Sequence, residues 1–113
     1  MSNTDVVRAA FDAYLAQDRY AAERLIAEDY SFTSPQDDHI DKAGFLERCF
    51  PTADRLTSQE ILELVSAGEE GVFILYEYEL KNGDRHRSAE FITGRCGRLV
   101  ETQVFFGARA QES

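Results

Sequence analysis

The stretch that decides the fold of this chain is Arg95-Cys96-Gly97-Arg98-Leu99-Val100-Glu101-Thr102-Gln103-Val104-Phe105-Phe106-Gly107. It predicts a tight turn followed by a long last strand, with apolar side chains on both alternating faces of that strand. A strand with two apolar faces needs cover on each side. In a chain of 113 residues we therefore expect a curved sheet that closes over a cavity on one side and meets a partner on the other.

Further strands precede this one. Val72–Leu80 is rich in aromatic and branched residues, and Arg85–Thr93 is its predicted partner strand. Asn82-Gly83 between them is a strong hairpin signal, because both central positions of that turn need a positive φ. Residues 57–66 are ambiguous, since Thr57-Ser58-Gln59-Glu60 has the pattern of a capping box, which favours a helix. We predict a strand there, because three strands alone would make a poor barrel.

The N-terminal half has a helical pattern. Apolar residues recur at three- and four-residue steps in three predicted helices: residues 4–17, residues 19–27, and a third helix that Asp41 caps and Pro51 ends. Tyr30–Ser34 alternates up to Pro35, which predicts a short strand, and the polar residues 36–39 predict a loop. Helices followed by strands predict one α+β domain over residues 1–113, with the helices packed on one face of the sheet.

The composition excludes several classes of function. There are 21 acidic and 12 basic residues, a formal net charge of −9, and this field opposes binding to nucleic acid and to anionic membranes. No apolar stretch approaches the ~20 residues of a membrane helix and no signal peptide is visible, so we expect a cytoplasmic protein. Two cysteines (Cys49 and Cys96) and two histidines give no disulfide framework and no metal spacing. With no glycine-rich phosphate loop either, we expect no cofactor and no metal.

Four segments, spread over nearly the whole chain, are arranged in a familiar order: Val6-Val7 to Asp18, Leu25 to Phe32, Gly44 to Phe50, and Ala89-Glu90-Phe91 to Phe105-Phe106-Gly107. This order resembles the nuclear transport factor 2-like superfamily, in the style of its SnoaL-like polyketide cyclases and ketosteroid isomerases. The resemblance implies a cone-shaped, curved mixed sheet wrapped around three N-terminal helices (a cystatin-like roll), with a pocket in the open end. It also implies a homodimer formed through the outer face of the sheet.

The resemblance argues against ketosteroid isomerase activity in this chain. Ser34 stands where those isomerases place their general-base aspartate, and Ala10 stands at their oxyanion-hole tyrosine. Ala89, beside Glu90, stands at the protonated aspartate of the same hole. Proton abstraction next to a ketone needs a base within hydrogen-bond reach and a donor facing the oxyanion, and these positions supply neither.

The predicted pocket combines inward alternation along the strands with the geometry that the resemblance implies. We expect its lining to be Tyr14, Phe32, Ser34, Phe50, Ala89, Phe91, Thr102, Val104 and Phe106. Mostly aromatic walls with a few hydroxyls suit a small apolar or aromatic molecule. The alternative is that these side chains fill the core and leave no usable space.

Asp38 and His39 are the candidate catalytic residues. A histidine beside a carboxylate can act as a base with a raised pKa, whereas the alternative interpretation is a solvated polar loop. A second candidate base is a glutamate of the strand that carries Glu77 and Glu79. We expect both of these to point outward, paired with Arg85 or Arg87 across the hairpin, because an unpaired buried carboxylate is costly.

Three functions remain compatible with the sequence. The preferred one is a homodimeric domain that binds a small apolar or aromatic molecule. The second is a cofactor-independent isomerase, cyclase or hydrolase that uses Asp38, His39 or an inward glutamate. The third is a structural dimerisation module, which predicts a filled cone instead of an open one.

Overall fold

The computed structural model describes residues 2–109, and the side-chain surroundings of residues 2–107. In chain order the elements are α1 (Asn3–Ala16), α2 (Arg19–Leu25), β1 (Ile26–Ser34), β2 (Asp37–Ile40), α3 (Lys42–Arg48), a 3₁₀ helix (Phe50–Arg55), β3 (Leu56–Ala67), β4 (Gly71–Leu80), β5 (Arg85–Arg95) and β6 (Arg98–Arg109). The strands form one sheet in the order β2-β1-β6-β5-β4-β3. The β1–β6 pair is parallel and the other pairs are antiparallel. The predicted α+β class with a mixed sheet is confirmed.

Side-chain caps set the starts of the helices. Ser2 and Asp5 form a capping box at α1, in which each side chain accepts a hydrogen bond from the backbone N–H of the other residue. Asp18 and Asp41 accept from the first turns of α2 and α3 in the same way. Such caps satisfy N–H groups that have no partner within the helix, which explains why the predicted starts agree closely with the observed ones.

Two predictions for the segment between the helices and the main sheet are wrong. The strand predicted for Tyr30–Ser34 begins earlier, at Ile26, because Ile26 pairs with Leu99 of the parallel strand β6. The predicted loop at residues 36–39 instead contributes to β2, an edge strand in which Ile40 is opposite Phe32. An edge strand pairs on one side only, so it tolerates polar side chains that a loop would also carry.

The ambiguous segment is a strand, as predicted. β3 pairs along its whole length with β4, where Ile61 is opposite Tyr76 and Leu64 is opposite Ile74. Two irregularities in the register, near Ser58 and near Glu63, interrupt this pairing. Irregularities of this kind bend a strand and increase its twist, which suits a sheet that must curve around the helices.

The core lies between α1 and the concave face of the sheet. Val6 and Val7 of α1 are fully buried together with Val72, Ile74 and Ile92 of the sheet. The Asn3 side chain also fastens the start of α1 to the sheet, because its Nδ2 donates to the carbonyls of Glu70 and Gly94, at 3.1 Å each. One end of the cone is thus closed, and the end toward the 3₁₀ helix remains open. Within residues 2–109, no helix combines the length and the apolar character needed to cross a membrane.

Candidate functional site

A cavity of about 640 Å³ lies between the helices and the concave face of the sheet. Its volume falls in the range of small-molecule sites, about 300–1,000 Å³. Most of the predicted lining residues border it: Tyr14, Phe32, Ser34, Phe50, Thr102, Val104 and Phe106. Aromatic and aliphatic side chains dominate the walls, so the cavity offers a ligand a mainly apolar surface.

The prediction that Ala89 and Phe91 line the pocket is wrong. In the register of β4 and β5 they are opposite Leu75 and Phe73, on the convex face of the sheet. The Phe91 ring packs on the Phe73 ring there, with centroids 4.7 Å apart. Side chains alternate between the two faces of a strand, so Glu90, between them, points into the cone.

Among the described residues, Asp37 and Glu90 are the acidic side chains that border the cavity, and Glu90 is the one on a central strand of the sheet, β5. Its neighbours across the strands are Ile74 and Val104, both buried in the core. The hydroxyl of Tyr76 donates to Oε2 of Glu90 at 2.7 Å. Burial raises the pKa of Glu90 to about 7, and the hydrogen bond from Tyr76 opposes this rise. Near neutral pH the carboxyl group can therefore either donate or accept a proton.

The phenols of Tyr14 and Tyr30, which also border the cavity, are already hydrogen-bonded. Thr52 donates its hydroxyl proton to the carbonyl of Cys49 at 2.7 Å, so in its 2.7 Å contact with Tyr14 the phenol is the donor. Tyr30 donates to Thr102 at 2.7 Å. Burial raises the pKa of both phenols, which keeps them neutral. Oε1 of Glu90, by contrast, has no hydrogen-bond partner among residues 2–107 and remains available to a ligand.

Polar side chains surround the mouth of the cavity. Asp37 forms an ion pair with Arg48 there, and the thiol of Cys49 lies 3.9 Å from the same carboxylate. Burial, and then the nearby Asp37, raises the pKa of Cys49 to about 11. The thiol is therefore protonated at neutral pH and a poor nucleophile, as expected for a packing residue.

Asp38 and His39, the candidate catalytic pair, lie on β2 outside the cavity. Nδ1 of His39 is 2.5 Å from Oδ1 of Asp38, and the two side chains are 68% and 89% exposed. Neither residue borders the cavity, so neither can contact a molecule bound inside it. Among the described residues there is also no group of three side chains that could hold a metal ion.

Glu77 and Glu79 point outward, as predicted. Arg87 Nε donates to Oε2 of Glu77 at 2.8 Å, and Arg85 pairs with its other oxygen. The hydrogen bond from Arg87 is the main cause of a lowered pKa at Glu77. The two glutamates are therefore part of the convex face and contribute nothing to the chemistry of the cavity.

The Glu90 carboxyl predicts a specific pH dependence of stability. Its pKa is about 7 in the folded protein against a normal value of 4.5, so between these pH values the folded protein holds a proton that the unfolded chain has lost. The free energy of unfolding should therefore fall as the pH rises from 4.5 to 7, by up to about 3 kcal/mol at 1.36 kcal/mol per pKa unit. Urea denaturation from pH 4.5 to 8 measures this slope.

Glu90→Gln should abolish that component, while Glu79→Gln, a change on the convex face, should retain the slope of the wild type. Identical slopes for wild type and Glu90→Gln would contradict the buried position of the Glu90 carboxyl.

No family model matches the sequence of this chain, and no curated protein matches it.

Several solved protein structures have a fold similar to that of this chain. A nuclear transport factor 2-like protein of unknown function from Cytophaga hutchinsonii has a TM-score of 0.75 at 18% identity, over 95% of this chain and 91% of its own. A candidate polyketide cyclase from Sinorhizobium meliloti has a TM-score of 0.78 at 18% identity, over 89% and 94%. A candidate ketosteroid isomerase from Kribbella flavida has a TM-score of 0.78 at 16% identity, over 98% and 82%. The chain therefore has the nuclear transport factor 2-like fold that its sequence resembles.

Proposed function

We propose that this domain binds a small, largely apolar molecule in the cone and holds one polar group of that molecule at Glu90. The observation that carries the proposal is an open, mainly apolar cavity of about 640 Å³ with a hydrogen-bonded carboxyl group inside it. Apolar walls with a few fixed polar groups are typical of small-molecule sites. A purely structural module would be expected to fill this space.

The similar folds support the same class of ligand. The names of two of them, a candidate polyketide cyclase and a candidate ketosteroid isomerase, refer to small organic molecules. The walls of this cavity favour a flat, aromatic or polycyclic compound, because rings such as Tyr14 and Phe50, which meet edge to face, pack well against other rings.

Ala10→Phe tests the cavity as the binding site. Ala10 borders the cavity from α1, so a phenyl group there should occupy the space of a ligand. We expect 4-hydroxybiphenyl to raise the Tm of the wild type in a concentration-dependent way, because a ligand of the folded state stabilises it. The shift should be lost in Ala10→Phe.

The matched control is Ala16→Phe, an exposed position on the same helix, where the ligand-induced shift should remain. Equal shifts in wild type and Ala10→Phe would place the site elsewhere. Absence of a shift in the wild type would remove the support for binding of this class.

We also propose that the convex face of the sheet joins two copies of the chain. Phe73, Val65 and Phe105 are 50%, 49% and 55% exposed on that face, which is unusual for large apolar side chains in a single patch. Charges of both signs flank this patch, since Arg87 lies on the same face as Glu63. A face that carries both signs can pair with a second copy of itself about a two-fold axis.

Phe73→Lys tests this dimer. A stable interface needs about 800 Å² from each partner, so it would have to include the centre of this patch. A lysine there would place two like charges close together in the dimer and repel the second copy. We expect the wild type to sediment as a dimer at ten micromolar and Phe73→Lys to sediment as a monomer. Tyr20→Lys, which changes an exposed ring on α2, should leave the dimer intact. A monomeric wild type at that concentration contradicts the proposal.

A second candidate function, an acid–base enzyme, is favoured by one observation. The pKa of Glu90 is about 7, and general acid–base catalysis is most effective when the pKa lies near the working pH. Glu90 replaces Asp38 and His39 as the residue proposed for this role, because its carboxyl group faces the cavity and neither Asp38 nor His39 borders it.

Exchange of the α-protons of 2-tetralone in D₂O tests this candidate by NMR. In that reaction a base removes the α-proton to give the enolate, and a deuteron from solvent takes its place. We expect the wild type to accelerate the exchange and Glu90→Gln to lose roughly 100-fold or more, while Glu79→Gln matches the wild type. An equal rate for Glu90→Gln and wild type would exclude Glu90 as the base.

A further inference from the structure

Gln59 carries an unsatisfied polar atom on the wall of the cavity. Its side-chain oxygen Oε1 is shielded from solvent and has no hydrogen-bond partner among the described residues. Gln59 lies on β3 opposite Tyr78 of β4, and both residues border the cavity. A buried acceptor without a donor costs about 1–3 kcal/mol, so native structures seldom keep one unless something outside the chain satisfies it.

Gln59 and Glu90 lie in different parts of the same cavity. They are two strands apart, on β3 and β5, which is about 10 Å across the sheet. Glu90 is opposite Ile74 and Gln59 is opposite Tyr78, four residues further along β4, so the two residues also differ by about 13 Å along the strands. Both face the concave side of a curved sheet, which brings their polar ends closer together. A single ring cannot contact both, but an elongated molecule of two or more rings can.

We propose that Gln59 is a second recognition point, and that the ligand is an elongated, mainly apolar molecule with a hydrogen-bond donor at each end. One hydroxyl or N–H group donates to Oε1 of Gln59, and the other polar group meets Glu90. This inference rests on the proposed function, because it assigns the class of molecule that the cavity holds. Gln59 is a binding residue that determines specificity, and it takes no part in proton transfer.

Three related probes test the proposal by isothermal titration calorimetry: 4,4′-dihydroxybiphenyl, 4-hydroxybiphenyl and biphenyl. The diphenol can satisfy both ends of the cavity at once, whereas the monophenol can satisfy only one. One added hydrogen bond to an unsatisfied acceptor corresponds to about a tenfold gain in affinity. We expect the wild type to prefer the diphenol over the monophenol by about tenfold.

Gln59→Met keeps the length of the side chain and removes its amide. We expect this variant to bind the two phenols with affinities within about twofold of each other. Its midpoint of urea denaturation should equal or exceed that of the wild type, because no intramolecular hydrogen bond is lost. The matched control is Gln103→Met, on the convex face opposite Phe91, which should keep the tenfold preference.

The outcomes separate the two proposals. A tenfold preference that persists in Gln59→Met, or a lower urea midpoint in that variant, would assign Gln59 a structural role and overturn the inference. Equal affinities of the wild type for the two phenols, with biphenyl bound more weakly, would also overturn it, while the proposed binding function with Glu90 as its polar contact would stand. Failure of the wild type to bind any of the three would overturn both.

Discussion

The site depends on the register of the hairpin formed by β4 and β5. In this register Glu77 is opposite Arg87 and Ile74 is opposite Glu90. Because side chains alternate along a strand, a slip of one residue would exchange the two faces of β5. Glu90 would then lie outside the cone, and Ala89 and Phe91 would line it. The contacts of Glu77 with Arg85 and Arg87 help to fix this register, so ion pairs on the convex face contribute to which side chains of β5 face the cavity.

The same register gives two glutamates on neighbouring strands opposite properties. Glu77 has two guanidinium partners, and hydrogen bonding by Arg87 lowers its pKa. Glu90 has no cationic partner among the described side chains and accepts one hydrogen bond from a neutral phenol, so burial dominates and raises its pKa to about 7. Environment separates their roles: one glutamate stabilises the charged surface, and the other is the titrating group of the cavity near neutral pH.

Much of this fold could be predicted from local signals, and the orientation of β5 could not be predicted from its own residues. Capping residues such as Asp18 and Asp41 mark the starts of helices, and Asn82-Gly83 indicates the hairpin. Along β5, however, both faces mix polar and apolar residues, so alternation alone leaves the inward face undecided. Pairing across the hairpin resolves it: if Glu77 pairs with Arg87, then Ala89 is on the outer face with Arg87. The unsatisfied oxygen of Gln59 has no signal in the sequence, because it depends on which atoms the folded chain leaves without partners.

The size of the cavity determines what can fill it. A cavity of about 640 Å³ with a polar mouth has room for water molecules, because one water needs only about 30 Å³. Water inside gains few hydrogen bonds from walls such as Phe32, Phe50 and Val104, so an apolar molecule that displaces it is favoured. Under the proposed function, a molecule that displaces this water meets two acceptors without hydrogen-bond partners among residues 2–107, Oε1 of Glu90 and Oε1 of Gln59, and these atoms would select among apolar ligands.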